Sequence, residues 1–163
     1  MNFRKDQRGF TLVEVVVVVA IIVILASFSL NMIGRLRYAK SEQVVESISS
    51  ALNKHQINCM SKGKSYLHIY KINNEYYMKV SDSSSATVED ANGYSIGSNN
   101  VLKKLVKDAA AATEITGTGQ LVLSFKKDGS FDFVGDEITE IQVTGGNDFK
   151  IKLNKTTGKH VVE

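Results

Sequence analysis

Glu14 is the residue whose chemistry most needs a partner. It stands directly before an unbroken apolar run, Val15 to Ala26, and follows Phe10-Thr11-Leu12-Val13. A carboxylate inside an apolar helix is costly in lipid unless a positive group lies at nearly the same depth. An α-amino group on Phe10 would be such a group if the chain were cut after Gly9. A short basic leader, Met1 to Gly9, holds Arg4, Lys5 and Arg8 ahead of that point. The chemistry these residues would suit, were the chain cut there, is amine–carboxylate pairing in an apolar setting.

The other candidates for chemistry are weaker. His55 and Cys59 stand one helical turn apart, but two ligands do not make a metal site, and both fall on a packing stripe. His68 and His160 are distant in sequence and show no ligand spacing. A Cys59 nucleophile with His55 as its base is disfavoured, because buried cysteines are usually inert. There is no phosphate-binding glycine loop, no nucleophile elbow and no paired-carboxylate pattern. No catalytic residue, metal or cofactor is assigned. Lys126, Lys127, Lys150 and Lys152, with Lys155 and Lys159, are candidates for phosphate contact with DNA, since lysine binds phosphate without reading sequence. Lysines on a sheet edge more often guard it against pairing. Tyr66, Tyr70, Tyr76 and Tyr77 could stack bases, although their place in a strand pair favours packing.

These residues must be positioned by two kinds of element. The apolar run from Val15 to Ile33 spans roughly 28 Å as a helix, enough for a bilayer. Arg35, Arg37 and Lys40 mark its exit. Val44, Val45, Ile48, Leu52, His55 and Cys59 then recur at helical spacing, an amphipathic stripe able to cover a sheet. Gly63 is a suitable stop, so one helix should run from Phe10 to about Ser61. No proline interrupts it, and Gly34 is its weak point.

Beyond Gly63 the period changes to two. Tyr66 to Ile72 and Tyr76 to Val80 read as a hairpin around Asn73-Asn74. Residues 81–100 read as a long polar loop with a short strand near Tyr94-Ser95-Ile96. Val101, Leu102, Leu105, Val106 and Ala109 have helical spacing, which predicts a short helix over 101–112. The last third reads as a meander: Leu121 to Phe125, Phe131 to Phe133, strands through Ile141-Val143 and Phe149-Leu153, and a last strand Lys159 to Val162. The fold class expected is α+β, with the helix stripe covering an antiparallel sheet.

Arg8-Gly9-Phe10-Thr11-Leu12-Val13-Glu14 before a Val/Ile/Leu/Ala run resembles the cleavage signal of type IV pilins and pseudopilins. The resemblance covers about the first third of the chain. It implies that a membrane prepilin peptidase cuts after Gly9, that the new Phe10 amine is methylated, and that Glu14 guides subunits into a helical filament. It also implies other pilin subunits, an assembly platform protein and its ATPase as partners. The organisation expected is a leader over 1–9, a transmembrane and filament-core helix over 10–34, an amphipathic helix over 35–62 and an extracytoplasmic β-rich domain over 63–163. The absence of a proline near Asn31 leans towards a minor subunit. The last third is also similar, through strand order and turn placement, to minor pseudopilins of the GspH/FimT type.

Composition bounds the partners. The 163-residue chain has a formal charge of +3, and three of its basic and one of its acidic side chains lie in residues 1–9. Bulk charge thus argues neither for nor against nucleic acid. Cys59 is the single cysteine, so no intrachain disulfide can form. The function expected is a structural subunit serving pilus biogenesis, type II secretion or DNA uptake, at the cell membrane and then the cell surface. The alternative is a single-span anchored binding protein that never polymerises. An extracytoplasmic enzyme is disfavoured by the missing constellation.

Overall fold

A computed structural model describes residues 11–85, 93–98, 100–116 and 119–163, with residues 28–34 described by their helical backbone alone. The first described element is helix α1, Leu12–Lys62. Its first third is rich in valine and isoleucine, which favour strands in water. A helix nevertheless satisfies every backbone hydrogen bond within one segment, which an isolated strand cannot do. The helix continues through Gly34 and ends at Gly63, whose φ of 116° suits a residue without a Cβ.

The chain divides into two units, residues 1–35 and 36–163. In the first, the described apolar side chains from Leu12 to Leu25 are exposed, with Val15 to Ile24 each at half or more. A helix that is hydrophobic all round needs a cover, and the described residues of this unit supply none. Among the described residues no helix is long and apolar enough to cross a membrane. The side chains of 28–34, which complete the run read from the sequence, lie outside the described residues.

The second unit is α+β. The later part of α1 is followed by strands β1 (Tyr66–Ile72), β2 (Glu75–Ser81), β3 (Tyr94–Gly97), β4 (Val101–Val106), β5 (Thr113–Glu114), β6 (Leu121–Leu123), β7 (Ile138–Thr144), β8 (Phe149–Leu153) and β9 (His160–Val162). They form two antiparallel sheets rather than the one expected, ordered β3-β2-β1-β6 and β5-β4-β7-β8-β9. Asn73 and Asn74, with φ of 48° and 67°, make the tight turn of the β1–β2 hairpin, and Ile72 faces Glu75 across it.

Two local expectations are corrected. The helix predicted over 101–112 is strand β4 followed by a turn at Asp108, whose φ is 65°. Pairing with β7 over Val101 to Val106 decides this, because it adds a full ladder of hydrogen bonds that local spacing cannot anticipate. Phe131 and Phe133 form no strand of their own; a single bridge joins Phe125 to Phe131. Leu121 to Leu123 also leaves the expected meander and pairs with β1 instead.

The helix stripe packs as expected. Val44, Val45, Ile48, Leu52 and Cys59 join residues of both sheets, among them Ile69, Leu102, Leu123, Ile141 and Ile151, in one buried cluster. Each such side chain contributes roughly 1.5–3 kcal/mol by leaving water. Polar anchors fix the helix register. Ser41 lies wholly buried, donates to Asn100 Oδ1 at 2.9 Å and accepts from the Gly146 N–H at 3.1 Å. A Cβ on Gly146 would run into the backbone of Arg37 and Tyr38, so only glycine lets this turn approach so closely.

Candidate functional site

Gly9 and Phe10 lie outside the described residues, and the described part of the site begins at Thr11. The Thr11 N–H and hydroxyl both donate to Glu14 Oε2, at 2.7 and 2.8 Å, and the Glu14 N–H donates to Thr11 Oγ1 at 3.2 Å. This is a capping box, with threonine at the cap and glutamate three residues on. It satisfies donors that the first helical turn would leave bare in an apolar setting. Sequence reasoning missed it, although Thr-x-x-Glu before an apolar run was the available signal. Glu14 therefore has a local duty besides any contact with another subunit. Both Thr11 bonds use Oε2; among the described residues no hydrogen bond is formed by Oε1.

The other candidates are spread over the second unit. The buried His55 and Cys59 do meet, with Cys59 Sγ 3.6 Å from His55 Nε2. His55 Nε2 also lies 3.1 Å from the Ser65 carbonyl oxygen, and Phe125 stands against its ring. This contact joins the end of α1 to the start of β1. Among the described residues no group of three or more histidines, cysteines or carboxylates could hold a metal ion. The buried His68 spans Gln120 and the Ser83 carbonyl. His160 reaches Ser49 Oγ at 2.8 Å and ties β9 to α1.

The basic candidates lie on β8, on the turn after it and on the turn at 126–129. Lys150 and Lys152 project from the solvent side of β8, and each has a carboxylate: Glu140 at 3.7 Å and Glu163 at 2.7 Å. Lys155 meets Glu137 at 2.6 Å. Lys126 and Lys127 are exposed on a separate turn closed by the Gly129 N–H bonding to the Lys126 carbonyl. Of the four tyrosines, Tyr70 and Tyr76 are fully buried and offer no face for a base. Tyr76 instead donates to Glu114 and accepts from the Leu102 N–H, linking the two sheets.

Burial pushes the pKa of His55 and of His160 below the ordinary value, outweighing the hydrogen bonds that act the other way. The unfolded chain protonates both near about 6.5. Just below that pH the unfolded state binds more protons than the folded one, so stability rises with pH. The contribution is complete above the unfolded value and is lost as pH falls through the folded values. The urea midpoint of segment 36–163 is therefore expected to be lower at pH 5 than at pH 8. His55→Gln should flatten that dependence, and equal slopes for variant and wild type would remove His55 as its source.

The long helix, with its capped start and the exposed apolar side chains from Leu12 to Leu25, and the antiparallel sheets of the second unit define an α+β protein. The family model for the prokaryotic N-terminal methylation motif matches residues 4–30. The chain thus carries the type IV pilin prepilin signal, the mark of a prepilin-peptidase substrate. No curated protein and no solved structure matches the chain.

Proposed function

We propose that the protein is a structural, minor subunit of a type IV pilin-like filament or pseudopilus, cut after Gly9, methylated on Phe10 and then assembled through its apolar helix. The observation that carries this is an apolar helix start, with Leu12 to Leu25 exposed among the described residues, lying inside the methylation motif. Exposed apolar surface of this extent marks a membrane or protein interface, and this function supplies both in turn. Before assembly, residues 10–34 anchor the chain, with the N-terminus cytoplasmic and residues 63–163 extracytoplasmic. In the filament the same helix packs against other subunits. The peptidase, platform protein and assembly ATPase are its partners. Carboxylates beside Lys150 and Lys152 compete with phosphate there, which weighs against those two lysines as phosphate contacts.

Glu14 supplies the register. Hydrophobic contact alone would let helices slide, whereas a carboxylate paired with a neighbour's Phe10 amine fixes the axial step. In an apolar surround an unpaired charge is costly and pairing recovers much of that cost. The capping box allows a sharp test. Glu14→Gln keeps an acceptor for Thr11 but loses the charge, whereas Glu14→Ala loses both. Both variants should be inserted and cleaved normally, because cleavage precedes packing. Both should fail to co-purify with the other filament subunits. If Glu14→Gln incorporates like wild type while Glu14→Ala does not, capping is the whole role of Glu14 and the charge pair is refuted.

A further inference from the structure

The five-stranded sheet stops at β9, and the stop is abrupt. Lys150 and Glu163 exchange two backbone hydrogen bonds, at 2.9 and 2.8 Å. Val161 lies opposite Lys152, and His160 and Val162 lie opposite Leu153 and Ile151. Hydrogen-bonded and non-bonded pairs alternate along an antiparallel ladder. The N–H and C=O groups of His160 and Val162 therefore point away from β8, towards an edge that no strand among the described residues occupies. Val161 and Val162 are 57% and 43% exposed, an apolar end that is not shielded by proline.

Beside this edge runs a groove of about 500 Å³ between α1 and β8–β9, with Val45, Phe149 and Val162 as its apolar lining and Glu42, Glu46 and Asn53 on its helix side. The side chain of His160, on the same face of β9 as Val162, already reaches α1 through Ser49. A strand added beside β9 would lie about 4.8 Å further out. Its alternate side chains would enter the groove and meet Glu42 and Glu46, one helical turn apart. Among the described residues, neither glutamate has a cation within ion-pair distance.

From this arrangement we infer that β9 and the groove form a docking site for an extended basic segment of a partner protein, taken up as a sixth strand. The main chain would bond to His160 and Val162, and lysine or arginine at alternate positions would face Glu42 and Glu46. Strand addition draws its affinity from such main-chain bonds and its specificity from pockets for alternate side chains. The inference rests on the α1–β9 geometry and is independent of filament assembly.

The test uses the full-length chain in detergent and a fluorescent hexapeptide of alternating lysine and valine. Anisotropy should report saturable binding, and hydrogen exchange should slow at the His160 and Val162 amides. The same peptide with glutamate for lysine should bind at least tenfold more weakly. Glu42→Gln combined with Glu46→Gln, two surface changes that leave the core intact, should weaken the lysine peptide about tenfold and flatten its salt dependence. Val162→Pro removes an outward N–H without breaking a bond to β8, and should abolish the exchange protection. Equal binding of the two peptides, unchanged affinity in the double glutamine variant, or no protection at His160 and Val162 would each overturn the proposal.

Discussion

Gly9→Val leaves the leader attached. The intact mass of membrane-extracted protein should then be that of residues 1–163, with no chain beginning at Phe10, and co-purification with other filament subunits should vanish. The effect is nearly all-or-none because two steps depend on the same atom. In the proposed processing, a branched side chain at the residue before the cut is expected to block cleavage. Without the cut, Phe10 has no free amine, so Glu14 of a neighbour has no cation to meet. Membrane insertion should be unaffected, since Gly9→Val changes neither the basic leader nor the apolar run. A variant of normal mature mass would remove Gly9 from the mechanism. A wild-type chain that keeps its leader would favour the anchored, non-polymerising alternative.

The second large effect falls in the unit of residues 36–163. Gly158→Ala should lower stability by about 3 kcal/mol, or roughly 10 °C in Tm for a unit of this size. Gly158 has a φ of 66°, which costs an alanine roughly 1–2 kcal/mol by itself. In addition, the new Cβ would run into the Gly129 carbonyl oxygen and Gln56 Nε2. That collision strikes a clamp: Gln56 of α1 donates to Gly129 O at 2.7 Å and to Gly158 O at 3.3 Å, holding two turns against the helix. Gly135 is the control. Its φ is 85°, but a Cβ there meets nothing within 4 Å. Gly135→Ala should therefore cost only the backbone part, about 1–2 kcal/mol. Thermal unfolding of the two variants separates close packing from backbone strain. Equal losses would show that the turns move apart freely and that the Gln56 clamp carries no load.

Local chemistry explains what could be read in advance. The capped helix start, the stripe from Val44 to Cys59, the stop at Gly63 and the Asn73-Asn74 hairpin each depend on residues within a few positions of one another. Their periodicity and turn residues are written along the chain. The prepilin signal is legible for the same reason, since a peptidase reads a short linear segment. Glu14 was only half legible. Its burial cost pointed outward to a neighbour, while the Thr11 hydroxyl that actually meets it in this chain stood three residues away in plain view.

Tertiary structure alone decided the rest. Val101 to Val106 carries helical spacing and becomes a strand because β7 offers it a ladder from 32 or more positions away. Leu121 to Leu123 looks like the start of a meander, yet it closes onto β1 and so splits the expected single sheet into two. Lys150 and Lys152 look like free cations until β7 and the end of β9 bring Glu140 and Glu163 beside them. Strand partners and ion pairs are contacts between distant positions, and their energy depends on which surfaces the whole fold brings together. The sequence by itself determined the helix, its cap and its processing signal; the pairing of strands, the placement of charge and the open edge at β9 came from the fold.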